Sequence, residues 1–194
     1  MSRPENDFSL DPRGDRSLIV GNGTNQKRFL VSSHAMRFAS PVWRAMLTGP
    51  YEEGTAEEIS FPSDDPDALL VMLRIAHLQF KDVPSLLEFK ELVNVAAACD
   101  KYEMVSISRP FSKKWIEHLE PLSEKTGFEE WLFVAWTFGY PEIFNRIMDR
   151  LVLNASTSAD GQCLKEKNQI LDEYIMPPDT LGKFRSPDIR EVPA

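Results

Sequence analysis

The chain has 194 residues, of which 42% are hydrophobic and 27% charged, an ordinary composition for a globular protein. This length suffices for one hydrophobic core and an extension. Its 30 acidic residues outnumber its 22 basic ones and give a formal net charge of −8. Because phosphate recognition needs a basic face, this balance argues against nucleic-acid binding.

Cysteine content and hydropathy indicate the compartment. Two cysteines, Cys99 and Cys163, are too few for a disulfide framework, and Cys99 lies in an apolar helical setting that predicts burial. The longest apolar run, Trp131 to Trp136, is too short to span a bilayer, and no signal-peptide pattern opens the chain. We therefore expect an intracellular protein, in the cytoplasm or nucleus, without membrane contact.

The first third of the chain is predicted to contain a hairpin and two short helices. Residues 1–14 are polar and are expected to form a flexible N-terminal segment. The run Leu18 to Val20 favours a strand, and a second strand follows the turn, with Phe29 and Val31 on its buried face. Ser33 is the expected cap of the first helix, which runs to Phe38.

The second helix and the next strand carry clear boundary signals. Ser40 precedes Pro41, a combination that favours a helix start, and this helix is expected to run to Leu47. A loop with glycine and proline follows. The residues Glu58 to Phe61 alternate in polarity and predict a strand.

Three helices are expected next. The first begins after an aspartate cap and Pro66, and its apolar stripe comprises Leu69, Met72, Leu73, Ala76 and Phe80. A capping box from Ser85 to Glu88 opens the second, whose inner face comprises Phe89, Leu92, Val93, Ala96 and Cys99. The third covers about Ser106 to Leu119, with Pro110 kinking or delaying its start.

Pro121 is a candidate domain boundary. Beyond it, Thr126 to Glu129 resembles a capping box and predicts an aromatic helix from Phe128 to Phe138, used for core packing. Gly139 should end this helix. Pro141 should begin another, whose stripe comprises Phe144, Ile147, Met148 and Leu151.

The resulting organisation has four parts. Residues 1–14 form the N-terminal segment, 15–120 the main domain, 121–153 a helical extension, and 154–194 a polar, proline-rich and largely disordered tail. A short helix near Leu164 to Tyr174 is predicted within this tail.

Several spaced features resemble the start of a BTB/POZ domain. They are an aspartate before an apolar strand, a hairpin leading to Phe29 and His34, and a Ser-Pro-x-aromatic helix. In this sequence the features fall at Asp15, Leu18 to Val20, Phe29, His34, Ser40-Pro41, Trp43, Met46 and Leu47. The sequence around them is most similar to the sequences of small, free-standing fungal BTB proteins.

The resemblance implies an α+β fold, with a small β-sheet flanked by a helical cluster and a C-terminal helical extension. It also implies a non-catalytic protein–protein interaction module that forms homodimers through the hairpin and the first two helices. Trp43, if exposed, would be an anchor, together with Met46 and Leu47. Exchange of the N-terminal segment between subunits, anchored by Phe8 and Leu10, stays open.

An alternative function is also implied by the resemblance. In BTB proteins that recruit a cullin ubiquitin-ligase scaffold, a hydrophobic-x-Glu motif follows the second of these helices. Tyr51 and Glu53 match that motif here. The aromatic ring would fill a groove on the partner and the carboxylate would accept hydrogen bonds at its rim. A solvated acidic loop is the competing explanation.

Catalytic and metal-binding patterns are not found in the sequence. It has no Gly-x-Ser-x-Gly nucleophile elbow and no phosphate-binding glycine loop. His34 matches a structural histidine of the BTB resemblance, and with His77 and His118 it lacks the spacing of zinc ligands. We expect no enzyme activity and no cofactor. The enzyme class stays the third and weakest hypothesis, with His34 as its candidate residue.

Overall fold

The computed structural model describes residues 6–154, 156–157, 163–165, 169–170 and 176–178. It shows an α+β fold, with a small sheet and a set of helices. In chain order its strands and helices are β1 (Asp7–Ser9), β2 (Arg16–Val20), β3 (Lys27–Val31), α1 (Ser33–Ala39), α2 (Pro41–Thr48), β4 (Glu58–Phe61), α3 (Pro66–Ala76), α4 (Phe89–Lys101), α5 (Val105–Leu119), α6 (Trp131–Phe138), α7 (Pro141–Asn154), β5 (Ser156–Thr157), β6 (Cys163–Lys165) and β7 (Gln169–Ile170).

The chain divides into two compact units, Met1–Ile116 and Glu117–Ala194. The division falls inside α5. The sequence places its candidate boundary slightly later, at Pro121. Each unit is described separately below.

The main sheet of the first unit has the strand order β1-β3-β2-β4. One row of apolar side chains crosses all four strands, because Phe8 pairs with Phe29, Phe29 with Leu18, and Leu18 with Ile59. Leu18 and Phe29 are fully buried. Alternation places this row on one face of the sheet, as the sequence predicts for β3.

The N-terminal segment differs from its predicted state over the residues that the structure describes. Asp7–Ser9 form β1, which pairs with β3 of the same chain in parallel. The ring of Phe8 lies 5.5 Å from that of Phe29, and Leu10 is buried. These apolar contacts offset the cost of ordering a polar segment. Residues 1–5 of the predicted segment lie outside the described residues.

Helix starts follow local capping chemistry, and two of the four compared here differ from prediction. Ser40 caps α2 and Asp65 caps α3, as expected. The cap of α1 is Ser32, one residue before the predicted Ser33. The capping box of α4 uses Glu88 with Glu91 and not Ser85 with Glu88, because the helix begins only at Phe89.

The interior of the first unit is built mainly by α3 and α4. On α4, Leu92, Val93, Ala96 and Cys99 are buried as predicted. The stripe of α3 is shorter than predicted, since the helix ends at Ala76 and Phe80 lies in a separate turn. Helix α5 begins at Val105 and continues through Pro110.

In the second unit α6 and α7 pack on each other. Helix α6 begins at Trp131 and not at the predicted Phe128, because Glu129 uses its carboxylate to accept from the Gly127 N–H in the preceding turn. Gly139 ends it in the left-handed conformation, with φ 75°, as predicted.

The buried stripe of α7 coincides only in part with the predicted one. Ile143, Ile147 and Leu151 are buried, at spacing i, i+4 and i+8, whereas Phe144 and Met148 flank this stripe and are half-exposed. The predicted stripe includes Ile147 and Leu151 but not Ile143. A single stripe of this kind is expected for a helix with one packed face.

Three short strands follow α7 in an antiparallel sheet of order β5-β6-β7. Two of them, β6 and β7, fall on or beside the predicted short helix from Leu164 to Tyr174. That prediction is wrong for these residues, because strand pairing satisfies their backbone groups instead. The rest of the predicted tail, apart from residues 176–178, lies outside the described residues.

Candidate interaction surfaces

The predicted anchor Trp43 lies in the core. Its side chain is 0% exposed, and Leu47 on the same helix face is also buried. The exposure on which Trp43 depends as an anchor is therefore not found in this structure. Spacing explains the burial, because Trp43 and Leu47 are four residues apart and form the inner stripe of α2.

A buried serine fixes Trp43 and α2 to the end of α4. The Ser40 hydroxyl donates to the Tyr102 carbonyl at 2.6 Å and accepts from the Trp43 N–H at 3.0 Å. The rings of Trp43 and Tyr102 lie 5.0 Å apart. One hydroxyl thus caps the helix and joins two elements.

The other predicted residues gather in a second place. Met46, Tyr51 and Glu53 line a groove of about 560 Å³ together with Phe61 and Tyr102, and we name it the Tyr51 groove. Tyr51 is 58% exposed, whereas Met46 and Glu53 are half-exposed. The structure therefore brings the predicted motif residues onto one concave surface.

Two residues that line the Tyr51 groove, Lys101 and Tyr102, belong to a polar network. Asp64 accepts from the Tyr102 hydroxyl and from the Lys101 ammonium, each at 2.6 Å. Burial, followed by the hydrogen bond to Asp64 and its negative charge, raises the pKa of Tyr102 well above its usual value. Tyr102 is accordingly a neutral donor at physiological pH, and Asp64 joins it to Lys101.

A larger groove lies elsewhere on the first unit and was not predicted. It measures about 840 Å³ and is lined by segments from four regions of the chain, among them Leu10, Phe38, His77, Phe80 and Phe111. We name it the Phe38 groove.

Large apolar side chains lie exposed at the Phe38 groove. Phe38 is 82% exposed, Leu78 is 73% exposed and Phe80 is 51% exposed. Contiguous exposed apolar surface of this kind is uncommon on monomers and marks interaction sites. The sequence could not show it, because the periodic pattern assigned Phe80 to the inner stripe of α3.

Backbone geometry at the end of α3 presents Leu78 to solvent. Leu78 has φ 58°, in the left-handed region that non-glycine residues rarely adopt. The turn is held by the Gln79 side chain, which donates to the Leu10 carbonyl at 2.8 Å, and by the Gln79 N–H, which donates to the Arg74 carbonyl at 2.9 Å. A strained residue that is both apolar and exposed is a further indication of a functional surface.

The histidine side chains and Cys99 lie in different surroundings. His34 and His118 are exposed on α1 and α5, whereas His77 is hydrogen-bonded at the end of α3. Cys99 is buried as predicted, and burial raises its pKa to about 12. Within the described part of the chain, no three acidic, histidine or cysteine residues cluster as metal ligands would.

Comparison with known proteins gave no match to any family model and none among curated proteins. Across the residues that the structure describes, every helix is too short or too polar to cross a membrane.

Proposed function

We propose that this chain is a non-catalytic protein-interaction module of the BTB/POZ type that self-associates through the Phe38 groove. The spaced motif from Asp15 to Leu47 and the α+β architecture support the family assignment. The observation that carries self-association is the exposed Phe38 beside an apolar groove. An intracellular location remains part of the proposal, because the sparse cysteines fit a reducing compartment.

A second copy of the chain is the occupant that this surface fits best. Phe38 projects from the end of α1, and the concavity lined by Leu10, Ile107 and Phe111 belongs to the same groove. A projecting ring and a hollow on one face allow two copies to exchange rings around a two-fold axis. Aromatic anchors in apolar pockets dominate the energetics of such interfaces.

Phe38→Ser tests this interface. We expect the unaltered chain to sediment as a dimer at micromolar concentration and the variant to dissociate at least tenfold more readily, since an aromatic side chain loses its buried contacts. Trp136→Ser is the matched control, because Trp136 is also an exposed aromatic residue but lies in the second unit. A Phe38→Ser chain that stays dimeric would refute the interface.

A second candidate function is that of a substrate adaptor for a cullin-type ubiquitin ligase. Its support is the convergence of Tyr51, Glu53 and Met46 on the Tyr51 groove. The exposed aromatic ring would contact an apolar site on the cullin, and the Glu53 carboxylate would accept hydrogen bonds beside it.

Binding of a purified cullin scaffold to the full chain tests the adaptor function. The double variant Tyr51→Ala with Glu53→Ala should lose binding, measured by calorimetry, while Glu57→Ala on the same loop should retain it. Absence of binding by the unaltered chain would reject the adaptor function and leave self-association in place.

A further inference from the structure

His77 bridges two backbone segments through its ring. Its Nδ1 lies 2.8 Å from the Leu73 carbonyl oxygen, within α3. Its Nε2 lies 2.9 Å from the backbone nitrogen of Ser32, which precedes α1. The ring therefore joins the end of one helix to the beginning of another.

The partners of the ring fix its protonation state. A carbonyl oxygen only accepts, so Nδ1 must carry a proton and donate to Leu73. A backbone N–H only donates, so Nε2 must be unprotonated and accept from Ser32. Both hydrogen bonds exist together only in the neutral imidazole. Protonation would place an N–H of the ring against the N–H of Ser32.

Both joined segments line the Phe38 groove, and we name them its two sides. Ser32 caps α1, which carries Ala35 and Phe38 into the groove. His77 is followed directly by Leu78 and, after Gln79, by Phe80, which also line it. Loss of the His77–Ser32 bond would uncouple these two sides and remove one anchor from the start of α1.

The electrostatic surroundings of His77 are simple. Burial lowers its pKa, while its bond to the Leu73 carbonyl and the negative charge of Asp11 act in the opposite direction. Asp11 and His77 are the titratable side chains among the residues that line the groove, and the Asp11 carboxylate also accepts from the Arg13 N–H at 2.8 Å.

Other charged groups lie on the elements packed against α3 or on α5, and they do not line the groove. They include His34 and Arg37 on α1, Lys27 and Arg28 on β3, Lys81 and Asp82 in the turn after α3, Lys90, Glu91, Asp100 and Lys101 on α4, and Arg109 on α5.

We infer that His77 is a pH-sensitive latch: its neutral ring ties the two sides of the Phe38 groove together, and its protonation releases them. Resting on the proposed self-association, the latch makes the dimer weaken as the pH falls and His77 becomes protonated. The direction follows from the ring chemistry, since only the neutral form can accept from Ser32.

Nuclear magnetic resonance on the full, unaltered chain tests the latch directly. The His77 ring resonances and the Ser32 amide should be followed between about pH 8 and about pH 5. We expect the Ser32 amide shift to follow the His77 titration curve, and its protection against hydrogen exchange to fall on protonation. A Ser32 amide that is insensitive to His77 titration would overturn the inference.

Sedimentation over the same pH range tests the consequence for association. The unaltered chain and a His34→Gln control should dissociate roughly fivefold more readily at the acidic end, the fold-change that one hydrogen bond is worth. His77→Gln should show no such change with pH. The same pH response in His77→Gln would overturn the link between latch and dimer.

The two proposals fail in different ways. A chain that is monomeric at every pH, but whose Ser32 amide still follows His77, would refute self-association and support the latch. A pH-independent dimer with an unresponsive Ser32 amide would refute the latch and support self-association.

Discussion

Asp15 stabilises the start of α1 from a distance. Its two carboxylate oxygens accept from the N–H and the hydroxyl of Ser33, each at 2.7 Å. Burial opposes ionisation, but these hydrogen bonds and the neighbouring Arg16 outweigh it, so the pKa of Asp15 is lowered. The motif aspartate of the sequence therefore acts as a second cap beside Ser32.

Asp15→Asn should lower the free energy of unfolding by about 1 kcal/mol at neutral pH. The value is modest because the carboxylate is nearly half exposed to solvent. Since the folded state lowers the pKa, this contribution is present above the ordinary value of 3.8 and is lost as the pH falls through the folded-state pKa. Urea unfolding of both chains at neutral and acidic pH measures it.

The control for Asp15 is Asp82→Asn, which alters an exposed aspartate in the turn after α3. It should change stability by less than about 0.5 kcal/mol. A difference between Asp15→Asn and the unaltered chain that persists undiminished at acidic pH would contradict the assigned role of the carboxylate.

Single residues also mark where sequence reasoning succeeds and fails. Cys99 was predicted to be buried because its neighbours are apolar. The family resemblance makes Trp43 a candidate surface residue, although its own spacing with Leu47 indicates the core. The exposure of Phe38 is not predicted, since one aromatic residue near a helix end carries no periodic signal of exposure.

At the scale of elements, the turn between β1 and β2 is fixed by close packing. The Gly14 N–H donates to the Asp11 carbonyl at 2.9 Å. A Cβ at Gly14 would lie 2.6 Å from the Val31 carbonyl oxygen and 2.9 Å from the Leu30 Cγ. The backbone of β3 therefore leaves no room for a side chain here.

Gly14→Ala should destabilise the chain by about 2 kcal/mol, because the clash involves backbone atoms that cannot rotate away. Gly23→Ala is the matched control, since its position has φ 55° but open space around the added Cβ. It should cost about 1 kcal/mol or less, from conformation alone. Thermal unfolding of both variants compares them, and a larger loss for Gly23→Ala would contradict the packing argument.

Helix and strand positions were largely predictable, and their ends less so. Alternation in β3 and the helix starts at Pro66 and Pro141 are local signals that the structure confirms. The C-terminal end of α3 and the start of α6 depend on turns that compete with the helix, and the local sequence does not show which of the two conformations is more stable. The pairing of β1 with β3 joins residues about twenty apart, a tertiary contact without a local signature.

At the scale of the whole molecule, the net charge opposes the association of two chains, whereas the apolar Phe38 groove favours it. Each chain carries a formal net charge of −8, so two copies repel each other. The Phe38 groove is lined mostly by apolar residues, with Asp11 and His77 as its titratable side chains. The proposed association would therefore gain its free energy from apolar burial and would have to overcome electrostatic repulsion.

Raising the salt concentration should strengthen the dimer. Between about 50 mM and about 500 mM salt, screening reduces the repulsion while leaving apolar contacts in place, so we expect a severalfold lower dissociation constant. Sedimentation equilibrium at neutral pH measures this change. Weaker association at high salt would show that ion pairs stabilise the interface, and this would contradict association through the apolar contacts of the Phe38 groove.

The α+β class can be predicted from the sequence because local residue patterns indicate which segments form helices and which form strands. The Phe38 groove does not, since Leu10, Phe38, Phe80 and Phe111 come from four distant segments that only the fold brings together. The Tyr51 groove is intermediate, because a short motif supplied Tyr51 and the fold supplied its surroundings.

Self-association is tested by light scattering of the unaltered full chain on a sizing column, over about a hundredfold range of concentration. A dimer through the Phe38 groove predicts a mass twice the 22.1 kDa of one chain at the upper concentrations, falling toward the mass of one chain on dilution. A mass of one chain at every concentration would contradict self-association through the Phe38 groove.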